Sequence, residues 1–163
     1  MIIRPATADD WPRIWPFFKA IVDAGETYAY PEDLDADTAR PLWMESAPGQ
    51  TLVAEVDGVL LGSAKMGPNR PGRGSHIATA SFMVDPERRG RGAGAALGVS
   101  MVEWARSEGY HGIQFNAVVE TNRVAVRLWQ TLGFEIIGTV PEAFRSRAHG
   151  LVGLHVMYLP LRG

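Results

Sequence analysis

Apolar residues recur along this chain with two periods. Trp11, Ile14, Trp15, Phe18, Ile21 and Val22 fall at helical spacing behind Thr7-Ala8-Asp9-Asp10, a run rich in helix-capping residues. Pro12 suits a first helical turn, whereas Pro16 predicts a kink or a later true start. A polar loop dotted with aromatics, 25–37, leads to a second short helix predicted over Asp37–Ser46. Strand-like runs occupy Ile2–Ala6, Thr51–Val56 and Val59–Met66, the last two flanking Asp57-Gly58, a strong hairpin signal. Gly67–Ser75 holds too many glycines and prolines for regular structure. His76–Val84 then predicts a long strand and Gly92–Ser107 a helix, with Leu97, Met101, Val102, Trp104 and Ala105 as its buried stripe. Gly112–Val119 is a predicted strand, and Asn122–Leu132 a helix with Val124, Ala125, Leu128 and Trp129 on one side. Phe134–Val140 and Val152–Leu159 are the closing strands. The order β-α-α-β-β-β-α-β-α-β-β predicts an α/β fold in which the central strand–helix–strand crossover makes two strands parallel.

Composition narrows the classes. At 163 residues, with no internal repeat or linker, the chain predicts one domain. A hydrophobic share of 46% with 21% charged residues is ordinary for a globular protein, and a net charge of −2 gives no reason to expect nucleic acid or anionic membrane as partner. The chain has no cysteine, which excludes disulfides and thiolate nucleophiles, and its four scattered histidines predict no metal site. Neither a signal peptide nor a membrane span is visible, so a cytoplasmic location is expected.

Chemistry concentrates in Val84-Asp85-Pro86-Glu87-Arg88-Arg89-Gly90-Arg91-Gly92-Ala93-Gly94-Ala95, between a strand and a helix. Alternate glycines let consecutive N–H groups face one concave side, and a helix N-terminus adds partial positive charge there. With Arg88, Arg89 and Arg91 alongside, the segment is a candidate phosphate site. Gly90-x-Gly92-x-x-Ala95 also fits a dinucleotide fingerprint. Against that, Pro86-Glu87-Arg88-Arg89 separates strand from glycines, and the antiparallel hairpin upstream leaves no doubly wound sheet.

Val84-Asp85-Pro86 with Arg89-x-x-Gly92-x-Gly94 resembles the acetyl-CoA signature of the GNAT superfamily of N-acetyltransferases, and Asn122 through Leu128-Trp129-x-x-Leu132-Gly133-Phe134 resembles its second signature. The resemblance implies a mixed, mostly antiparallel sheet with helices on both faces and a central parallel pair splayed at the CoA site. It implies acetyl-CoA as acetyl donor, with Phe82, Met83 and Val84 giving main-chain contacts to pantetheine and an N–H near Met83 polarising the thioester. The pyrophosphate is expected on the amides of Arg89, Gly90, Arg91, Gly92, Ala93, Gly94 and Ala95. Arg88 and Arg89 are expected to touch phosphate, with Arg91 more solvated. Asn122 resembles the asparagine that holds the cofactor arm, and a residue ahead of a helix is equally an N-cap.

Superfamily members commonly carry tyrosine, the usual proton donor to the departing thiolate, where this chain has Trp129. An indole N–H donates hydrogen bonds and is no practical acid, so Trp129 either lines the site or packs the core. The candidate general base is Glu120, at the carboxyl end of a central strand, with Glu26 second and His76 third. Asn116, polar within Ile113–Val118, is expected to be buried and to meet the acceptor. Phe115-Asn116, Asn122 and Gly138-x-x-Pro141-x-Ala143-Phe144 look like the branch of acetyltransferases acting on proline analogues. The acceptor is therefore expected to be a primary or secondary amine of a small molecule, with amino and imino acids among the candidates and Glu26 and Tyr28 lining its site. A non-catalytic acyl-CoA sensor and an enzyme acetylating protein amines are the alternatives, and a homodimer is compatible with the superfamily.

Overall fold

The computed structural model describes residues 1–162. Seven strands form one sheet: β1 (Ile2–Pro5), β2 (Gln50–Val56), β3 (Val59–Pro68), β4 (Ile77–Val84), β5 (Gly112–Val119), β6 (Glu135–Ser146) and β7 (Gly150–Pro160), in the order β1-β2-β3-β4-β5-β7-β6. Every neighbouring pair is antiparallel except β4 with β5. The crossover between those two is α3 (Ala93–Ser107), which obeys the rule that parallel strands need a long connection. The predicted Asp57-Gly58 hairpin is present, with φ of 50° and 76° at the two turn residues, as a right-twisted two-residue turn requires.

Helices cover both faces. α1 (Trp11–Ala24) and α2 (Ala36–Trp43) bury Ile14, Phe18 and Trp43 with Val53, Leu60 and Met83 on one side of the sheet. On the other side α3 and α4 (Arg123–Thr131) bury Leu97, Met101 and Trp129 with Leu61, Ile113 and Phe115. A Cβ at Gly98 would lie 2.9 Å from Leu132 Cδ1 and 3.1 Å from the Trp129 ring, so α3 and α4 approach closely only because that position is glycine.

Several expectations need correction. α1 begins at Trp11 and runs on through Pro16. Pro16 lies early in the helix, where its missing N–H forfeits a single bond to the first turn. Val124, expected on the buried side of α4, is 82% exposed. The apolar face of that helix is instead Ala125, Leu128 and Trp129. β6 continues well past Val140 to Ser146, and β7 begins at Gly150. The basic segment Arg145–His149 is therefore the tip of a long hairpin, and bulges between Val140 and Phe144 bend it toward the α1–α2 loop.

Candidate active site: a gap beside the central strand

β4 meets two different neighbours. On its β3 side the pairing runs unbroken from Ala78 to Val84, and the Asp85 amide extends it to the Leu61 carbonyl at 2.8 Å. In an antiparallel ladder alternate residues turn both main-chain groups to the same neighbour. Ser81 and Met83 therefore face β3, while Ala80, Phe82 and Val84 face β5. On that side β5 pairs only through Ile77 with Gly112 and Ala78 with Ile113. Beyond Ala78 the two strands part, and a wedge-shaped gap opens toward the end of β4. This corrects the expectation for Met83: its amide is committed to β3, and the donors that face the gap belong to Phe82 and Val84.

The glycine turn stands at the mouth of this gap. Gly90 and Gly92 adopt φ of 77° and 83°, left-handed values that carry no penalty without a Cβ. Gly92 caps α3 without a side chain to close it, and no acidic residue occupies the first helical turn. The amides of Ala93, Gly94 and Ala95 thus point outward from a helix start with nothing of the chain competing for them. Gly94 faces Leu128 and Val84, whose side chains lie at ordinary contact distance, 3.5 Å and 3.6 Å, from where a Cβ would sit.

Arg88, Arg89 and Arg91 share a cleft of about 400 Å³ beside this turn, bounded by the Asp57 hairpin. Arg88 is turned back toward Asp85, with Nε 3.8 Å from its carboxylate. Arg89 and Arg91 have no ion-pair partner among the described residues. The ranking by sequence is thus altered: Arg91 is as available to an anion as Arg89, and Arg88 is less so.

Trp129 is buried, with its ring centroid 4.5 Å from that of Phe82 and 5.0 Å from that of Phe115. It forms the floor of the gap as a core aromatic. Asn122 caps α4, its Oδ1 accepting from the Ala125 amide at 3.4 Å. Glu120 reaches across to β7, where Oε1 accepts from the Gly153 amide at 2.6 Å, so half of this candidate base is occupied in tying two strands together. His76 lies at the closed end of β4, edge-on to His111.

Asn116 differs from expectation. It is exposed, because β5 has left β4 and also bulges away from β7 between Phe115 and Val118. Its amide accepts from Gln114 Nε2 at 2.9 Å and donates to Asn69 Oδ1 at 2.6 Å, which makes a row of amides across the open sheet face.

The opposite wall is built from side chains. Glu26 accepts from Ser146 Oγ at 2.6 Å and from the Ala148 amide at 2.8 Å. Those donors, the Ser146 hydroxyl first, hold its carboxyl below the usual carboxylate range. With each oxygen accepting one hydrogen bond, Glu26 anchors the β6–β7 turn rather than standing free as a base or acceptor contact. The Arg147 amide donates to the Gly25 carbonyl at 3.1 Å, and its guanidinium pairs with Glu32 at 2.6 Å. The β6 end of the hairpin and the α1–α2 loop border a half-open cleft of about 220 Å³ lined by Tyr28, Tyr30, Phe144 and Arg145. Burial pushes the Tyr30 phenol up to about 12 and Tyr28 higher still. The Tyr28 hydroxyl donates to the Phe82 carbonyl at 2.5 Å and accepts from the Phe82 amide at 2.7 Å, so it stands inside the gap. No sequence signal pointed to Ser146 or Ala148, because their partner is more than a hundred positions away.

The acetyltransferase (GNAT) family profile matches residues 11–134. The chain belongs to the GNAT family. It is 36% identical to N-acetyltransferase aca1 of Schizosaccharomyces pombe over 112 residues, 67% of this chain and 54% of that protein, so it spans about half of that relative's length. To the L-methionine sulfoximine/L-methionine sulfone acetyltransferase of Pseudomonas aeruginosa it is 31% identical over 146 residues, covering 86% and 83% of the two chains. The solved GCN5-related N-acetyltransferase from Kribbella flavida superposes with a TM-score of 0.95 at 58% identity, covering 98% of this chain and 97% of the other. A solved neighbour at 26% identity holds acetyl-CoA as its cofactor. The gap and glycine turn of this GNAT domain have the form such a ligand needs: an open strand edge for its amide-bearing arm and a nest of N–H groups for its pyrophosphate. Among the described residues no helix is long and apolar enough to cross a membrane, and no cluster of His, Asp and Glu is arranged to hold a metal.

Proposed function

We propose that this protein is an N-acetyltransferase that moves the acetyl group of acetyl-CoA directly to the amine of a small molecule, with an amino- or imino-acid-like compound as the favoured acceptor. The observation that carries the reading is the parting of β4 from β5 after Ala78, which leaves Phe82 and Val84 facing a gap that ends at the Gly90–Gly92 turn. An extended chain bearing amides adds to such an edge as a further strand does. The pyrophosphate then meets the amides of Ala93, Gly94 and Ala95, with Arg89 and Arg91 at its flank and Asn122 near the arm.

Acetyl-CoA supplies the activated acyl group, and with no cysteine in the chain the acceptor amine attacks it without a cysteinyl intermediate. The amine must arrive unprotonated, and Glu120, through its remaining oxygen, is the carboxylate nearest that task along the strand end. Small size of the acceptor is supported by the volume of the half-open cleft, about 220 Å³ between Tyr28, Tyr30, Phe144 and Arg145. A peptide or protein amine needs an open groove there. The acetyltransferase of P. aeruginosa named for methionine sulfoximine and methionine sulfone adds support for amino-acid-like acceptors.

The test is release of CoA thiol from acetyl-CoA across a panel of amino acids, proline analogues, methionine sulfoximine, polyamines and peptides. Turnover with a small amino-acid-like amine, and little with peptides, is the expected result. Tight CoA binding with no turnover on any amine would instead make the domain a non-catalytic acyl-CoA sensor.

A further inference from the structure

Trp129 has no usable acidity, and both Glu26 and Glu120 bind main-chain amides, whereas the Tyr28 hydroxyl, with Ser81 beside it, reaches the Phe82 main chain at the gap. Tyr28 is brought there by the loop after α1 and steadied by aromatic neighbours. Its ring lies edge-on to Trp43 at 6.5 Å and tilted against Tyr30 at 5.8 Å. Its oxygen sits 2.7 Å from the Phe82 nitrogen and 2.5 Å from the Phe82 carbonyl oxygen, on the edge of β4 that faces away from β3. Those are main-chain groups that an acyl donor lying along β4 meets.

Resting on the acetyl-CoA reading above, we propose that Tyr28 is a catalytic residue that forms, together with the Phe82 amide, the two-donor site for the thioester oxygen. In the free protein the amide donates to the phenol and the phenol donates to the Phe82 carbonyl. When the thioester oxygen enters between them it takes the amide's hydrogen bond, and the phenol, relieved of its role as acceptor, turns its O–H to the same oxygen. A donor–acceptor pair thereby becomes two donors converging on one atom. As the amine nitrogen bonds to the acyl carbon, negative charge gathers on that oxygen and both donors stabilise it. The C–S bond then breaks with its electron pair leaving on sulfur. The proton lost by nitrogen reaches the thiolate through solvent, and Tyr28 keeps its own proton throughout. A phenol held neutral by burial suits this task, since it donates strongly without ionising at neutral pH.

The experiment compares the full chain with Tyr28→Phe, which keeps the ring and removes the hydroxyl. In the variant kcat is expected to fall by about 100-fold, while CoA affinity by calorimetry changes less than about threefold. A second readout needs no turnover: difference infrared spectroscopy of bound acetyl-CoA carrying carbon-13 in its carbonyl. The stretch should shift to lower frequency on binding to the native protein, and a large part of that shift should vanish in Tyr28→Phe. Replacing Tyr28 by 3-fluorotyrosine, a stronger donor of nearly the same shape, should enlarge the shift. An identical carbonyl frequency in native and Tyr28→Phe proteins, or an unchanged kcat, overturns the role of Tyr28 and leaves the acetyltransferase reading intact. Failure of the native protein to bind acetyl-CoA at all removes both.

Discussion

The two walls of the gap are made of different material. The donor wall is main chain: the edge of β4 at Phe82 and Val84, the left-handed glycines 90 and 92, and the free amides that begin α3. The acceptor wall is side chain: Glu26 to Ser146 and Ala148, Glu32 to Arg147, Tyr28 to Phe82. Main-chain donors are available to any sequence that keeps the backbone path, so they suit a ligand that never changes. Side-chain clamps can be altered one residue at a time without touching the sheet, so they suit a ligand that varies from one protein to the next. On the proposed reading donor binding and acceptor choice are thereby separable in this fold except at Tyr28, which touches both walls.

Substitution at Gly92 should break the donor wall alone, and with the largest effect. Gly92→Glu forces a side chain into a φ of 83° and adds negative charge at the helix start, so CoA affinity by calorimetry should fall by about 100-fold. Glu26→Ala should do the reverse. With the β6–β7 turn released, the acceptor KM should rise by about tenfold while CoA affinity holds, and equal changes in both would show that the walls are coupled after all.

Acid should act on the same clamp. The Glu26 carboxyl is held below its ordinary range, so its hydrogen bonds are complete above that range and are lost as pH falls through the lowered value. The acceptor KM should climb over that acid interval in the native protein and show no such climb in Glu26→Ala. Asp10 sharpens the contrast, because it is a buried carboxylate that belongs to neither wall. Hydrogen bonds from Arg4 bring it from 3.8 to about 2. Its contribution is present above pH 3.8 and fades as pH falls toward about 2. Asp10→Asn should cost about 2 kcal/mol of stability at neutral pH by chemical denaturation, with CoA affinity and acceptor KM unmoved. The smallest effect is expected of Arg91→Ala, about threefold in CoA affinity at low salt and less at high salt.

The same division explains what could be read from the residues in order. The Asp57-Gly58 hairpin, the extent of β5 and the glycine turn are set by neighbours within a few positions, and the sequence pattern located each. Glu26, Ser146 and Ala148 come together only because a bulged hairpin folds back across the molecule, and no local pattern encodes that. Asn116 was misjudged for a related reason. An apolar run suggests burial, but the strand carrying it loses both of its neighbours at that residue. The resemblance implies Phe82, Met83 and Val84 together at the gap, whereas the ladder's alternation, fixed by the Leu61–Asp85 bond, turns Met83 to β3 and leaves that edge to Phe82 and Val84. Trp129 in place of tyrosine makes the missing acid legible in the sequence, whereas the contact of the Tyr28 hydroxyl with the Phe82 main chain forms only in three dimensions.

The brief parallel contact at Ile77–Gly112 and Ala78–Ile113 also makes the molecule a pair of half-sheets joined at a spine. Amide protons further along the facing edges, above all that of Val84, therefore lie in the middle of the fold and should exchange with heavy water like those of an outermost strand. A pantetheine chain lying there, as proposed, should slow that exchange, which makes the Val84 amide a gauge of occupancy.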